Sequence, residues 1–413
     1  MNIGIITTWF ERGAAYVSKQ FESILSTNHN VFIYARGGEI YAKGDPKWDK
    51  QNVSWGKRNL LYTTTQINIK HFKSWLTSNS IDLVIFNEQH EWEPVIACSE
   101  TNVLTGAYID YYKKETVPIF GIYDFLICNT KRHYSVFNWH QQAFYVPWGT
   151  DINLFSPQKK TNDDDKITFF HSCGMNPLRK GTDLLLEAYN KINRTESKLI
   201  IHTQVNIKTF FPDKSVLINK FLREGSLEII EKSVHAPGLY HLGDVYVYPT
   251  RLEGIGLTIA EAISCGLPTI VTNQQPMNEF VQSEEAGRLI GVSHEEVRGD
   301  NYYWPQSIVD VNDLSTQMNF YINSKEHIKL YKEKAREYAL KNLDWKKNLA
   351  LFEKQLITIQ KLKNSNINQL KEQAIKYDNK SLLEKTKNSL AYRKLRSVIK
   401  KYLISATKQK NIF

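Results

Sequence analysis

The sequence is poor in cysteine and has no long apolar run. No stretch approaches the roughly 18 consecutive apolar residues of a membrane-spanning helix, and the apolar opening Ile3–Ile6 is too short for the core of a signal peptide. The four cysteines lie far apart without paired metal-ligand spacing: Cys98, Cys128, Cys173 and Cys265. We therefore expect a cytoplasmic protein with reduced thiols, no disulfide and no structural zinc.

A surplus of positive charge is also absent from most of the chain. Residues 1–360 hold 39 Lys or Arg against 40 Asp or Glu, so no nucleic-acid partner is indicated. The formal net charge of +10 comes from residues 361–413, which hold 14 basic and 3 acidic residues. No tandem repeat of fixed period is present, which argues against a solenoid.

What the chain does contain is the composition and patterning of a globular α/β protein. Its 413 residues, 42% of them hydrophobic, suggest two or three domains. Short apolar runs alternate with helix-length segments in two blocks, which predicts two doubly wound halves with parallel sheets. Beyond residue 310 the pattern is all helical. The predicted strands are Asn2–Thr7, Val31–Ala35, Leu83–Phe86, Val103–Ala107, Phe125–Cys128 and Phe144–Val146, then Ile167–His171, Lys198–His202, Val245–Tyr248 and Thr269–Thr272.

The most informative segment runs from Asp244 to Thr272. Here a predicted strand, a glycine loop, a helix, a glycine that ends the helix and a second strand follow one another with almost no residues between them. Gly254 and Gly256 allow the backbone to approach a ligand, and a helix beginning near Leu257 directs free N–H groups at that ligand. Such a helix end attracts phosphate. The carboxylates Glu253 and Glu261 flank it, which indicates hydroxyl groups nearby as hydrogen-bond donors.

This segment resembles the E-x7-E signature of retaining glycosyltransferase family 4. The loop Glu253–Leu257 and the helix and stop Glu261–Pro268 stand at the corresponding places of that signature. The resemblance implies the GT-B fold, in which two Rossmann-like domains face a cleft. It also implies that Glu253 contacts the donor sugar, that Glu261 contacts the ribose hydroxyls, and that the amides of Ile255, Gly256 and Leu257 hold the phosphates.

A second motif, Arg179-Lys180-Gly181, is similar to the R-K-G element of the same family. By resemblance, Arg179 and Lys180 face the diphosphate and stabilise the charge that develops as it leaves. Many members carry a further Arg near the position of Gly174, which this chain lacks. Either His171 compensates for the missing Arg, or phosphate binding depends more strongly on Lys180.

The first turn, which contains Gly13, stands where the family has a glycine loop that touches the donor. A tight turn explains Gly13 equally well. The resemblance divides the chain into an acceptor domain at 1–155, a donor domain at 156–345, a helix at 346–362 that crosses back to the first domain, and a basic amphipathic tail at 363–413.

Candidate acceptor-side residues follow strands of the first half. His90 comes after a buried strand, and Tyr108 and Asp110 end the next one, at the edge where doubly wound sheets bind ligands. His90 is equally well explained as a hydrogen-bonded loop residue. Several aromatic residues in this half either form a sugar platform or simply pack together: Trp9, Trp92, Tyr108, Tyr111 and Tyr112.

Two further segments bear on metal binding and on membrane association. Asp163-Asp164-Asp165 matches an Asp-x-Asp metal motif but lies in a polar linker, so it is interpreted as a solvated charge run and no metal is expected. Between 391 and 406 an apolar stripe faces a row of basic residues, the pattern of an amphipathic helix. That helix either lies on an anionic inner leaflet or packs on the protein.

These features predict a retaining, metal-independent glycosyltransferase without a cofactor. Its donor is a nucleoside-diphosphate sugar, with UDP or GDP favoured, and its acceptor is a carbohydrate or lipid-linked glycan of bacterial surface polysaccharide synthesis. We expect a cytoplasmic enzyme; the first of the two alternatives for the tail implies peripheral binding to the inner face of the membrane. The alternatives are a nucleotide-sugar enzyme on soluble substrates, such as an epimerase or a sugar-phosphate synthase, and a non-catalytic GT-B protein that binds glycans.

Overall fold

The computed structural model describes residues 1–37, 42–57, 66–159, 165–284 and 286–379. Asp163, Asp164 and the amphipathic stretch 391–406 lie outside these residues. Contacts divide the chain into two units. The first comprises residues 1–128, 133–145 and those from 350 onward, and the second comprises 129–132 and 146–349.

The first unit is built on a parallel sheet whose described strands follow the order β3-β2-β1-β4-β5-β6-β7. Its central strand is a nearly continuous apolar run because both faces are covered, and Ile3, Ile5 and Ile6 are fully buried. The strands and helices are β1 (Asn2–Thr7), α1 (Gly13–Leu25), β2 (Asn30–Ala35), β3 (Val53–Trp55), α2 (Ile69–Ser78), β4 (Leu83–Asn87), α3 (Glu93–Ser99), β5 (Leu104–Tyr108), β6 (Phe125–Cys128), α4 (Lys131–Phe137) and β7 (Ala143–Tyr145). The first two residues of α4, Lys131 and Arg132, are assigned by their contacts to the second unit.

The second unit repeats this plan with a parallel sheet in the order β10-β9-β8-β11-β12-β13 and a separate antiparallel hairpin, β14–β15. Its elements are β8 (Ile167–Gly174), α5 (Thr182–Tyr189), β9 (Ser197–Thr203), α6 (Ile207–Phe210), α7 (Ser215–Arg223), β10 (Leu227–Glu231), β11 (Val245–Tyr248), α8 (Leu257–Ser264), β12 (Thr269–Thr272), β13 (Gly287–Ile290), β14 (Val292–Glu296), β15 (Gln306–Val309), α9 (Val311–Asn323) and α10 (Ile328–Asn342). Apolar clusters cover both faces of this sheet.

The chain returns to the first unit through α11 (Trp345–Leu356) and ends its described part with α12 (Ile367–Asp378). Phe352 of α11 packs against three aromatic rings of the first unit, with ring centroids 6.1 to 6.3 Å apart: Phe21, Phe125 and Phe144. The carboxylate of Asp378 accepts hydrogen bonds from the amides of Trp92 and Glu93, at 2.7 and 3.2 Å, where α3 begins. Residues 367–378 therefore pack on the first unit.

The structure confirms the expected α/β class, the two doubly wound halves and the helical region after residue 310. The four cysteines are buried free thiols, and burial raises the pKa of Cys98, Cys128 and Cys265 to about 12. Within the described ranges, every helix is too short or too polar to span a bilayer. The same ranges contain no cluster of three or more His, Cys, Asp or Glu side chains that would hold a metal ion.

Candidate functional site

The glycine loop of the second unit joins β11 to the start of α8. Gly256 caps this helix with a left-handed backbone (φ +94°), a conformation that costs other residues free energy. The first helical residues, Leu257 and Thr258, follow it directly and are half-buried. Because the first amides of a helix have no acceptor within the helix, this end has the geometry of an anion site.

Glu253 lies in this loop with its carboxylate almost fully buried. Its Oε1 accepts hydrogen bonds from the Lys180 ammonium at 2.6 Å, the Thr250 hydroxyl at 2.7 Å and the Tyr248 hydroxyl at 3.0 Å. Burial acts to raise the pKa of Glu253, but the charges of Lys180 and Arg179 outweigh it and lower the pKa to about 2. The carboxylate is therefore ionised at neutral pH.

Arg179 and Lys180 reach the same carboxylate from the loop between β8 and α5. Arg179 Nη1 lies 3.6 Å from Glu253 Oε2 and donates to the Leu252 carbonyl at 3.2 Å. The Lys180 ammonium also donates to the Tyr248 hydroxyl and lies 4.9 Å from the centre of its ring. Burial lowers the pKa of Lys180, while Glu253 opposes that shift. The two predicted cations and the predicted carboxylate thus form one cluster.

Hydrogen bonds join the two loops that carry this cluster. Arg251 forms a bidentate salt bridge with Asp183, with both N–O distances at 2.8 Å, and its guanidinium also donates to the Leu178 carbonyl. The Arg251 amide donates to the Arg179 carbonyl at 2.8 Å, and the Thr250 hydroxyl donates to the same oxygen at 3.1 Å. Arg251 is buried, so these contacts fix the positions of both loops.

Gly181 is required where the two loops touch. Its φ is +73°, and a Cβ built there would lie 2.0 Å from the carbonyl oxygen of Pro249. We expect Gly181→Ala to lower the free energy of unfolding by about 2 to 5 kcal/mol, from the left-handed backbone and the clash together. Gly225→Ala is the matched control, because Gly225 has φ +67° and open space around it; its cost should be about 1 to 2 kcal/mol. Equal losses in urea unfolding would contradict the role of Gly181.

Glu261 lies one helical turn into α8 and is half-buried. Its Oε2 accepts a hydrogen bond from the Tyr240 hydroxyl at 2.6 Å. Burial raises the pKa of Glu261, and this hydrogen bond only partly offsets the effect. Further hydroxyl donors would stabilise the ionised form, as a ligand with a diol would supply them.

Of the two alternatives for the missing Arg, compensation by His171 does not agree with the structure. His171 is fully buried, with Nδ1 2.8 Å from the Val247 carbonyl oxygen and Nε2 2.8 Å from the Thr182 hydroxyl. Both ring nitrogens are therefore engaged within the fold. Burial lowers its pKa to about 4, so the ring is neutral at pH 7 and brings no charge to a phosphate.

Of the three residues predicted for the acceptor side, the first unit brings His90 and Asp110 together. His90 Nε2 lies 3.8 Å from Asp110 Oδ2, and its ring centre lies 5.3 Å from that of Tyr111. Burial acts to lower the pKa of His90, but Asp110 outweighs it and the pKa is raised. Tyr108 is buried at the end of β5 and packs edge-on against Phe21, with ring centroids 5.8 Å apart.

The aromatic residues of this unit do not form a platform of five. Trp9, Trp92, Tyr108 and Tyr112 are buried, so packing is the correct interpretation for these four, while Tyr111 is half-buried. Gly13 begins α1 at the carboxyl end of β1, with open space where a side chain would stand.

Sequence reasoning missed several residues that hold the cluster or Glu261 in place: Tyr240, Tyr248, Thr250, Asp183 and Arg251. Tyr248 and Thr250 lie within five residues of Glu253 and could have been considered as its partners. Tyr240 and Glu261 are 21 positions apart in the sequence, and Arg251 and Asp183 are 68 positions apart. No local sequence pattern therefore predicts these two contacts.

Comparison with known proteins identifies the region that carries this site. Residues 166–297 match the family model described as Glycosyl transferases group 1. A probable sucrose-phosphate synthase of Thermosipho melanesiensis is 27% identical over 235 residues, which are 52% of this chain and 51% of that protein. The alignment thus spans about half the length of this relative.

Solved structures resemble nearly the whole chain. Sucrose-phosphate synthase from Thermosynechococcus elongatus aligns with a TM-score of 0.66 and 16% identity, covering 87% of this chain and 100% of its own. HepE of Anabaena, in complex with UDP and glucose, aligns with a TM-score of 0.64 and 13% identity over 86% of this chain and 98% of its own. The fold is therefore GT-B, as expected. Together with the family-model match, this supports a glycosyltransferase of GT-B fold.

Proposed function

We propose that this protein is a retaining glycosyltransferase that moves a sugar from a nucleoside-diphosphate donor to an acceptor hydroxyl, and that it belongs to family 4. The observation that carries the proposal is the cluster of Lys180 and Arg179 around the buried Glu253, in the loop that leads into α8. An anion-binding helix end and two cations suit a diphosphate, and an ionised buried carboxylate suits sugar hydroxyls.

In the proposed mechanism each group has one role. The amides of Ile255, Gly256 and Leu257 hold the phosphates, and Lys180 with Arg179 stabilises the negative charge that grows on the diphosphate as the sugar–oxygen bond breaks. Glu253 accepts hydrogen bonds from the donor sugar. The acceptor hydroxyl forms its bond to the anomeric carbon on the face that the diphosphate leaves, and the departing phosphate takes the hydroxyl proton.

Glu261 is proposed to bind the ribose of the nucleotide. Its pKa stays raised although the Tyr240 hydroxyl donates to it at 2.6 Å, so its charge is incompletely stabilised, and a ribose diol offers two further donors. In the first unit, His90 and Asp110 are proposed to contact the acceptor, and Gly13 is proposed to contact the donor.

The acceptor is proposed to be a carbohydrate or lipid-linked glycan of a bacterial surface polysaccharide, with peripheral binding to an anionic inner membrane. The basic composition of residues 361–413 supports this proposal, since each basic residue near an anionic surface contributes about 1 kcal/mol.

A second candidate is a synthase that forms a sugar phosphate from a nucleotide sugar. It is favoured by two similar proteins that carry the name sucrose-phosphate synthase.

Calorimetry with UDP, GDP, ADP and CMP, and with the corresponding nucleotide sugars, tests the proposed donor site. We expect one nucleoside diphosphate to bind selectively, and Glu261→Gln to weaken it about 10-fold because a charge-assisted hydrogen bond to ribose is lost, worth about 1.5 kcal/mol. Glu231→Gln, an exposed carboxylate at the end of β10, is the control and should leave binding unchanged. A folded protein that binds none of these compounds would contradict the proposal.

Supplying an acceptor distinguishes the two candidates. A sugar-phosphate synthase consumes the donor when given a soluble hexose phosphate, whereas the surface-glycan enzyme does so only with a glycan or lipid-linked acceptor. Deleting residues 380–413 should leave turnover of a soluble acceptor unchanged in the first case. In the second, it should lower the turnover of an acceptor embedded in anionic vesicles.

A further inference from the structure

The hairpin β14–β15 stands outside the strand and helix alternation of the second unit. It follows β13, precedes α9, and pairs only with itself among the described strands. Its second strand is joined to the Glu253 loop, because the buried Ser307 donates its amide hydrogen to the Arg251 carbonyl at 2.8 Å. Gln274 also donates to the Glu295 carboxylate at 2.5 Å. The hairpin is therefore held against the loops that form the proposed donor site.

The loop of this hairpin, residues 297–305, presents aromatic side chains. Tyr303 is 38% exposed and meets Trp304 edge-on, with ring centroids 5.1 Å apart. Trp304 is half-buried, whereas Val297 at the start of the loop is 86% exposed. The charged pair Arg298 and Asp300 forms a salt bridge at the base of the loop.

One buried arginine connects Trp304 to Glu253. Arg132 belongs by its contacts to the second unit, and its guanidinium carbon lies 5.1 Å from the centre of the Trp304 ring. The same guanidinium donates to the Glu253 carbonyl at 2.5 Å and to the Gln275 carbonyl at 2.8 Å. The Arg132 guanidinium thus contacts both the Trp304 indole and the backbone of Glu253, the residue that is proposed to hold the donor sugar.

We propose that this loop is a carbohydrate-binding wall of the site, with Trp304 as the residue that stacks on a sugar ring and Tyr303 beside it. A pyranose presents one face of C–H groups, which suits an aromatic ring. This inference rests on the proposed function and adds to it a residue that selects for the sugar. Arg132 is a positioning residue, because it links the wall to the Glu253 loop.

The test measures sugar binding separately from nucleotide binding. The probes are UDP, UDP-glucose, and glucose in the presence of UDP, with GDP, GDP-mannose and mannose as the second set. We expect Trp304→Ala to bind UDP or GDP within 2-fold of wild type and to lose at least 10-fold in affinity for a sugar. Trp304→Phe should retain most of the sugar affinity. Val216→Ala, an exposed residue on α7 outside this loop, should match wild type in every titration.

The two sets of sugar titrations identify which ring is stacked. Loss of the affinity difference between UDP-glucose and UDP, or between GDP-mannose and GDP, assigns the wall to the donor sugar. Loss of free-hexose binding alone assigns it to the acceptor.

Two results would overturn the inference: Trp304→Ala binds every sugar as wild type does, or both Trp304 variants lose nucleotide affinity and melting temperature together. If the wild type bound neither nucleotide, the proposed function itself would fail, and this inference with it.

Discussion

Replacing Lys180 with methionine is expected to lower kcat/KM for glycosyl transfer by about 10²- to 10³-fold, the usual effect of removing one preorganised donor from a developing charge. Lys180 is the less exposed of the two cations, with 14% of its side chain accessible against 38% for Arg179, so its charge is screened less. Methionine keeps most of the volume and removes the ammonium. Steady-state kinetics with the nucleotide sugar that binds in the calorimetric panel measures the effect.

Lys198→Met is the matched control for this substitution. Lys198 lies in the same unit and also contacts a glutamate at 2.6 Å, but that partner, Glu228, is 45% exposed. A salt bridge of this kind contributes about 0 to 1 kcal/mol, and it lies on β9 and β10, away from the start of α8. We expect kcat/KM within 2-fold of wild type. An equal loss in both variants, or none in Lys180→Met, would remove Lys180 from the mechanism.

Glu253→Gln is expected to lower the free energy of unfolding by about 3 kcal/mol at pH 7, and by less than half of that at pH 3. The folded-state pKa of about 2 lies below the ordinary 4.5, so the carboxylate stabilises the fold above pH 4.5. That contribution is lost as the pH falls toward 2. At pH 7 the glutamine also leaves Lys180 without its partner.

Urea unfolding at the two pH values measures this difference, and Glu228→Gln on the exposed pair provides the control. We expect the control to change the free energy of unfolding by about 1 kcal/mol or less at both pH values. A Glu253→Gln effect that is the same at pH 3 and pH 7 would show that the carboxylate charge does not stabilise the fold.

Much of the fold could be predicted from the sequence because buried parallel strands give unbroken apolar runs. Strands β1, β6, β11 and β12 have the predicted bounds for this reason. Strands β3, β10, β13, β14 and β15 were not predicted. They are short or lie at sheet edges, and β14 exposes four of its five residues, so their sequences carry no apolar run.

The candidate site could likewise be predicted only in part. Glu253 and α8 lie on one short segment, and their spacing alone predicts a carboxylate beside a helix end. The contact between Lys180 and Glu253 joins residues 73 positions apart and was not predicted; the resemblance implied only that Lys180 faces the diphosphate and that Glu253 contacts the donor sugar. Compensation by His171 stayed an open alternative because its position near a phosphate motif is visible in the sequence, whereas its two partners inside the fold are not.

The central claim is that a nucleoside diphosphate binds at the start of α8 and takes Lys180 as its counter-ion. A crystal structure with the nucleotide selected by calorimetry tests this claim most directly. We expect phosphate oxygens within hydrogen-bond distance of the Leu257 amide and the Lys180 ammonium, and ribose hydroxyls on Glu261. A nucleotide bound elsewhere, with Lys180 still bound only to Glu253 and Tyr248, would contradict the account.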